Sequence, residues 1–263
     1  MLIYPSVESL LYYAQAHLLL DDLDVIWARN LLLDELKLHD YVQYEVDYDA
    51  IEALDRPDTV LEPLVAYAVE NGIISDDKRE YFAGKLMNIV SKRPAEVTDI
   101  FNDLHRKSPA KAFDWLYDYG IKSDYIKLSK INENIKWDAK GTRGKLEITI
   151  NTCRPEKNNK ETAETLKSQK TEYPACTICK ENEGFAYGSQ IRTTLRTVPV
   201  ELGGEEWFWQ FSPYAYFNQH GIAVNSEHVP MKVDAAAIDK LFDFIDFMPN
   251  YFIGCNAALP RVG

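Results

Sequence analysis

The sequence predicts an α+β protein in which an all-helical N-terminal part is followed by an antiparallel-sheet part. Apolar residues recur at helical spacing through roughly the first 140 of the 263 residues, and period-two alternation rich in β-branched and aromatic side chains follows. We therefore divide the chain into a helical region, 1–140, and an antiparallel α+β region, 141–263. With 46% apolar residues, the chain is large enough to bury a substantial core.

Apolar spacing predicts the first two helices. The inward-facing set of the first helix is Leu10, Leu11, Ala14 and Leu18. A second, less regular set follows and comprises Ile26, Asn30, Leu33 and Leu36. Both sets imply helices that pack one face against the rest of the N-terminal part.

Capping residues predict where three further helices begin and end. Ser75 precedes an acidic first turn, which predicts a helix over 76–91. Pro94 begins the next helix at a position where the missing N–H costs little. Ser108 is a typical N-cap before a proline, and Gly120 is the expected end of that helix.

The second half reads as strands joined by turns. Alternating, β-branched and aromatic runs occupy 145–151, 191–202, 206–217 and 221–225, and a further strand is expected at 251–255. The Gly203-Gly204 pair between two of these runs predicts a hairpin. The polar stretch 154–173 is an expected exposed excursion. Because the last expected strand would leave a free sheet edge close to Gly263, we expect the sheet region to be truncated.

One helix interrupts the strands. Asp234 is its expected N-cap, and Pro249 follows its expected end. The residues expected to face inward are Ile238, Leu241, Phe242 and Ile245.

Charge and composition exclude several classes of function. The net charge is −12, and the excess of acidic residues falls within residues 1–120, so nucleic acid is not an expected partner. The sequence contains no run of 18 apolar residues, so it predicts no membrane span. Four cysteines are too few for a disulfide scaffold in a chain of this length, and we expect a cytoplasmic protein.

A Cys-x-x-Cys pair is the clearest metal-type spacing. Cys176 and Cys179 would place two thiolates on one tight turn, as in tetrahedral zinc sites. His228 is the best third ligand and His220 its rival. The two cysteines supply only half of the four ligands of a zinc site. The pair could instead be two loop cysteines without metal or a redox pair.

Five segments in order resemble one enzyme family. They are CTICKENEGF (176–185), IRTTLRTVPV (191–200), WFWQFSPYAYFNQH (207–220), GIAVNSEHVPMKV (221–233) and NYFIGCNA (250–257). Together they resemble class II galactose-1-phosphate uridylyltransferase. The resemblance implies a histidine-triad-like sheet and transfer of a uridylyl group from UDP-glucose to galactose-1-phosphate through a uridylyl-histidine. The family's nucleophile lies in a histidine-x-histidine-x-glutamine segment that we expect beyond Gly263, so the chain alone is expected to be inactive.

The resemblance also implies roles for individual residues. Cys176, Cys179 and His228 fall where zinc-binding relatives hold three ligands. Ile178 would lie beside the uracil pocket, Tyr214 near the ribose and Asn256 near the α-phosphate, while Arg192 and Arg196 would face the phosphates, which arginine binds well through paired hydrogen bonds. A homodimer is a further expectation.

Three positions depart from the family pattern. Ser189 and Leu195 stand where histidines are common, and Ala258 replaces an expected acid. These departures favour, as the alternative, a non-catalytic relative that keeps the fold and a nucleotide or metal site.

Overall fold

The computed structural model describes residues 3–152, 173, 178–187, 190–215, 217–227, 229 and 232–255, with side chains described at all of these except 186, 187, 190 and 191. The described residues confirm the predicted α+β class, because helices dominate the N-terminal part and small antiparallel sheets follow. The exposed excursion predicted at 154–173 lies outside them, except for Tyr173.

Among the described residues, eight α-helices precede the first strand. They are α1 (Tyr4–Leu18), α2 (Val25–Glu35), α3 (Tyr48–Glu52), α4 (Asp58–Glu70), α5 (Arg79–Val90), α6 (Pro94–His105), α7 (Pro109–Lys122) and α8 (Leu128–Ile131). Helix α1 lies at the centre and contacts α2, α3, α4, α5 and α7. All four residues predicted to face inward from α1 are buried.

Helix α2 has a different inward face from the predicted one. Its buried residues are Ala28 and Leu32, and Leu36 follows at the same spacing just after the helix. Ile26, which was expected to face inward, is 66% exposed. The predicted set is therefore confirmed at Leu36 and wrong at Ile26 and Asn30, which are exposed. Two nearly equal apolar stripes are possible here, and packing against α1 and α5 selects one of them.

The predicted helix starts are confirmed at Pro94 and Ser108. Ser75 makes no side-chain cap, and α5 begins at Arg79 instead of residue 76. A 3₁₀ turn over Asp76–Lys78 leads into α5, and the Ser108 hydroxyl accepts a hydrogen bond from the Lys111 N–H. Helix α7 does not stop at Gly120 but continues to Lys122. A Cβ on Gly120 would lie 2.8 Å from the Ile126 side chain, so the glycine allows close packing instead of ending the helix.

The first two strands form a separate hairpin. Strand β1 (Ile135–Gly141) pairs with β2 (Gly144–Ile150) in antiparallel register, with Trp137 opposite Ile148. The first strand thus begins a few residues before position 141. Residues of the same parity share a face of a strand, so one face of the hairpin is apolar and the other is charged.

Two further sheets complete the described strands. Strands β3 (Ala186–Tyr187) and β4 (Gln190–Ile191) form a short pair. Strands β5 (Val198–Leu202), β6 (Glu205–Phe211) and β7 (Gly221–Asn225) form a three-stranded antiparallel sheet in the order β5-β6-β7. The predicted hairpin is confirmed: Gly203 and Gly204 have φ of 59° and 73°, values that glycine adopts without strain.

Two of the predicted strands are shorter than expected. Residues 192–197, within the predicted strand 191–202, form a turn and an irregular buried segment, in which the Leu195 N–H bonds to the Arg192 carbonyl. The strand predicted over 206–217 ends at Phe211 and continues as a loop. The first segment carries β-branched threonines and the second carries aromatic residues, which favour strands, but the described residues of these segments are not paired as strands.

Strand β6 separates two differently packed faces. Trp209 and Phe211 point to one face, where the Trp209 ring meets Phe113, Phe244 and Tyr251 with centroid distances of 5.6, 5.3 and 6.0 Å. Gln210 points to the opposite face. The sheet is therefore covered on the first face by α7 and by the helix that follows β7.

That helix, α9 (Ala235–Phe247), begins as predicted and packs differently. The Asp234 carboxylate accepts from the Ala237 N–H at 2.9 Å, which confirms the cap. Its buried residue is Phe244, whereas Ile238 and Phe242 are 48% and 65% exposed. Leu241 and Ile245 are partly buried, so the predicted inward set is wrong at Ile238 and Phe242. The reason is that α9 contacts the sheet through a different face, which carries Lys240, Asp243 and Phe244.

The strand predicted at 251–255 is absent from the described residues. After Pro249 the chain turns, with the Tyr251 N–H bonded to the Met248 carbonyl at 3.2 Å, and the following residues have no regular structure. The turn carries the Tyr251 ring back onto Trp209 and leaves Phe252 84% exposed. No helix among the described residues is long and apolar enough to cross a membrane.

Candidate functional site

The C-terminal end of β6 brings together segments that are distant in sequence. The Gln210 side-chain amide donates to the Ile178 carbonyl at 2.9 Å, and the Tyr125 hydroxyl donates to the Phe211 carbonyl at 3.0 Å. The Lys127 N–H bonds to the Pro213 carbonyl at 3.0 Å. The turn 178–185, the end of α7 and the loop after β6 thus meet at one place, which we take as the candidate site.

Arg192 is linked to the candidate site by its hydrogen bond to Tyr125. Its guanidinium is buried and donates to the Tyr125 hydroxyl, which in turn donates to the β6 backbone at Phe211. The backbone of Arg192 also pairs with the turn 178–185: its N–H bonds to the Phe185 carbonyl at 2.8 Å, and its carbonyl accepts from the Gly184 N–H at 2.9 Å. Two predicted site segments are therefore joined directly.

Arg196 lies deeper and is held by protein acceptors. Its guanidinium donates to the carbonyls of Lys92 at 2.7 Å and Leu195 at 2.8 Å, and to the Asn88 side chain at 2.9 Å. Burial lowers the pKa of Arg196, although the group stays protonated at neutral pH. In the part of the chain that the structure describes, Arg196 ties the 192–197 segment to the helices, and its contact with a phosphate stays a prediction.

Tyr214 is anchored to the helical part by an ionic cluster. Its hydroxyl donates to the Glu80 carboxylate, which also accepts from Lys130 Nζ at 2.6 Å. Lys127 lies 4.0 Å from the same carboxylate and 2.7 Å from Asp124. The Tyr214 ring therefore has a defined position between the loop after β6 and helices α5 and α8.

Burial raises the pKa values of the nearby carboxyl groups, whereas hydrogen bonds and neighbouring positive charges lower them. Burial alone would raise the pKa of Glu80, but the hydrogen bonds from Lys130 and Tyr214 and the lysine charges outweigh it, so the pKa is lowered. Burial raises the pKa of Glu183, although its carboxylate accepts from the Thr197 N–H and hydroxyl. Burial likewise raises the pKa of Asp124, against the nearby charge of Lys127.

Replacing Glu80 with glutamine is expected to lower the free energy of unfolding at pH 7 by roughly 1–3 kcal/mol, because hydrogen bonds to a charged group are lost. Since the folded-state pKa lies below the usual 4.5, the contribution of Glu80 is present above that pH and is lost as the pH falls through the folded-state pKa. The difference between wild type and Glu80→Gln should therefore shrink under acid, as urea unfolding at pH 7 and pH 3.5 measures. The exposed Glu133→Gln is the control, and an equal loss there would contradict the assignment.

The proposed zinc ligands are only partly within the described residues. Cys179 is buried and begins the 3₁₀ turn Lys180–Asn182. Cys176, His228 and Asn256 lie outside the described residues. Over the ranges that are described, no group of three or more ligating side chains is close enough to hold a metal ion. The zinc prediction therefore depends on the sequence pattern.

Of the three positions that depart from the family pattern, Leu195 is among the described residues. Leu195 is 1% exposed and belongs to the main core, whereas Ser189 and Ala258 lie outside the described residues. His220, the rival zinc ligand, is half-buried, and burial lowers its pKa. Its carbonyl accepts from the Ser212 N–H at 2.9 Å, so it lies at the same end of the sheet as the site.

Three residues of the site were not singled out from the sequence. Tyr125, Glu80 and Gln210 make the contacts that join the predicted residues. Gln210 had a recognisable signal, since it is a polar residue within an aromatic strand run. Tyr125 and Glu80 had none, because their partners lie far along the chain.

Comparison with known proteins gives consistent matches. A family model described as galactose-1-phosphate uridyl transferase, N-terminal domain, matches residues 31–230. The galactose-1-phosphate uridylyltransferase of Bifidobacterium longum subsp. longum is 39% identical over 99% of this chain and 53% of its own length. Its Clostridium acetobutylicum counterpart is 40% identical over 98% of this chain and 52% of its own length. The Butyrivibrio fibrisolvens protein of the same name is 38% identical over 98% of this chain and 67% of its own length.

The chain thus spans about half the length of the first two of these relatives. No solved structure matches it.

Proposed function

Because the chain belongs to the galactose-1-phosphate uridylyltransferase family, we propose that it carries the uridine-nucleotide site for uridylyl transfer from UDP-glucose to galactose-1-phosphate. The observation that carries this proposal is the convergence at the end of β6. The Ile178 carbonyl accepts from Gln210 of β6, and Arg192 donates to Tyr125, whose hydroxyl donates to the β6 backbone. Tyr214 lies in the loop that follows β6 and is held there by its hydrogen bond to Glu80.

The residues suit a nucleotide diphosphate. Arg192 supplies a fixed cation, and the Tyr214 ring, with Lys130 Nζ 5.8 Å from its centroid, offers an aromatic surface for a ribose or base. We propose that Ile178 lines the uracil pocket and that Asn256 approaches the α-phosphate. Arg196 is proposed to support the phosphate-binding segment from behind.

The chemistry we propose has two half-reactions. An imidazole nitrogen attacks the α-phosphorus of UDP-glucose, the bond to the glucose-1-phosphate oxygen breaks, and glucose-1-phosphate leaves. A phosphate oxygen of galactose-1-phosphate then attacks the same phosphorus, and UDP-galactose leaves the histidine. The 263-residue sequence contains no histidine-x-histidine pair, so we propose that the nucleophile is not one of its five histidines and that this polypeptide alone does not catalyse transfer.

Two further proposals follow from the sequence pattern. Zinc would be held by Cys176, Cys179 and His228 and would fix the turn before the uracil pocket, and elemental analysis should find it lost in Cys179→Ser. A homodimer is the proposed assembly. The alternative function, a non-catalytic nucleotide- or metal-binding relative, is favoured by Leu195, which is buried in the core where the family commonly has a histidine.

Calorimetric titration with UDP and with ADP tests the proposed site. We expect UDP to bind in preference to ADP, and Arg192→Gln to weaken UDP binding by about tenfold or more, because a charge-assisted contact to phosphate is lost. Arg143→Gln, in the exposed turn between β1 and β2, is the matched control and should bind UDP like wild type.

Two results would contradict the proposal. Equal binding of UDP and ADP, or none at millimolar nucleotide, would show that no uridine site is present. Conversion of UDP-glucose and galactose-1-phosphate to UDP-galactose that disappears in His220→Ala would place the nucleophile within this chain.

A further inference from the structure

Gln210 has an unusual environment for an amide. It is 1% exposed, and its Nε2 donates to the Ile178 carbonyl at 2.9 Å. No donor among the described residues reaches its Oε1, which is fully buried. A buried acceptor without a hydrogen bond is costly, and native proteins keep few of them. This one lies beside the residue proposed to line the base pocket.

The amide lies on the face of β6 opposite the main core. Trp209 and Phe211 point into the main core, whereas Phe208 and Gln210 point the other way. Phe208, Cys179 and Ala215 are buried but do not belong to the contiguous core. A single polar group among apolar and aromatic side chains is the composition typical of a small-molecule pocket.

We propose that Gln210 is the residue that recognises uracil. Its Oε1 accepts a hydrogen bond from the uracil N3–H, and the second N–H of its Nε2 donates to a neighbouring uracil carbonyl oxygen. This inference rests on the proposed function, since it assumes a uridine nucleotide at the end of β6. It adds a specificity-determining residue that the family resemblance did not point to.

The Ile178 carbonyl fixes the orientation of the Gln210 side-chain amide. A backbone carbonyl can only accept, so the amide nitrogen of Gln210 must face Ile178. A flip of the amide would place Oε1 against that carbonyl and is disfavoured. Cytosine bound in the same position presents a bare N3 acceptor toward Oε1, and the fixed amide cannot turn to suit it. The arrangement therefore selects uracil over cytosine.

Ligand titrations with the unmodified chain test this directly. We expect UDP to bind at least about tenfold more tightly than CDP, and N3-methyl-UDP to lose a similar factor, because one hydrogen bond in a desolvated site is replaced by repulsion. In Gln210→Met, UDP binding should weaken by about tenfold and the UDP-to-CDP preference should disappear. Gln219→Met is the matched control: this amide bonds to Asp114 and Tyr251, and its loss should leave the preference intact.

Each outcome is decisive. If N3-methyl-UDP binds as tightly as UDP, or Gln210→Met keeps the UDP-to-CDP ratio of wild type, Gln210 has a structural role and this inference alone fails. If the unmodified chain binds no UDP, the proposed function and this inference fail together. The N3-methyl-UDP measurement needs no variant, so it decides the question even if Gln210→Met does not fold.

Discussion

Replacing Trp209 with alanine is expected to lower the free energy of unfolding by about 3–5 kcal/mol, the usual range for removing a buried large aromatic side chain. Trp209 is 4% exposed, and its ring contacts three elements of the fold: Phe113 in α7, Phe244 in α9 and Tyr251 beyond it. Truncation would leave a cavity where these three elements meet the β6 face. Urea unfolding followed by far-ultraviolet circular dichroism measures the loss.

Two variants test whether the position of the ring causes the effect. Trp207→Ala, on the same face but only half-buried, should cost much less. A Cβ on Gly221 would lie 2.1 Å from the Trp209 ring, so Gly221→Ala should destabilise wild type by about 1–3 kcal/mol and should cost clearly less in Trp209→Ala. Additive effects of the two substitutions would contradict the packing described.

Replacing Arg196 with methionine is expected to lower the free energy of unfolding by about 3–5 kcal/mol, because each buried acceptor left without a donor costs about 1–3 kcal/mol. The guanidinium is the donor for the carbonyls of Lys92 and Leu195 and for the Asn88 side chain, and these acceptors would remain in a buried place without it. Because Asn88 and Lys92 belong to the helical part, the same substitution should loosen the 192–197 segment from it. Chemical denaturation gives the magnitude, and hydrogen exchange gives the location.

An exposed arginine provides the comparison. Arg106 pairs with Asp103 one turn earlier on α6, and its side chain is 71% exposed, so Arg106→Met should change stability by no more than about 0.5 kcal/mol. Arg196→Lys should recover only part of the loss, because one ammonium group cannot replace three directed donors. A loss below about 1 kcal/mol in Arg196→Met would show that the buried contacts are not maintained in solution.

The features that the sequence predicted correctly are local ones. The N-caps Ser108 and Asp234 and the glycine pair at 203–204 depend on residues within a few positions of each other. A side chain three residues from its backbone partner meets it in any context, and a positive φ suits glycine wherever the turn lies. The family was likewise predictable, because five ordered segments carry it and the comparisons confirm it.

The features that the sequence did not predict depend on residues far apart in the chain. Helix α9 exposes Ile238 and Phe242 because contacts with the sheet, and not its own apolar spacing, select the buried face. Gly120 lies within a helix because Ile126 packs against it. Periodicity shows that a helix has an apolar face, but several faces are nearly equivalent, and only the neighbouring elements choose among them.

The candidate site shows the same division. Arg192, Tyr214 and Ile178 were predicted by resemblance, as residue types suited to a nucleotide. The tertiary structure alone supplied the partners that orient them: Tyr125 for Arg192, Glu80 for Tyr214 and Gln210 for Ile178. The Tyr214–Glu80 bond joins residues 134 positions apart, and no local pattern records such a pair. The sequence by itself determined the family, the class of fold and the local caps and turns, whereas the positions of the candidate-site residues were decided by packing between distant elements.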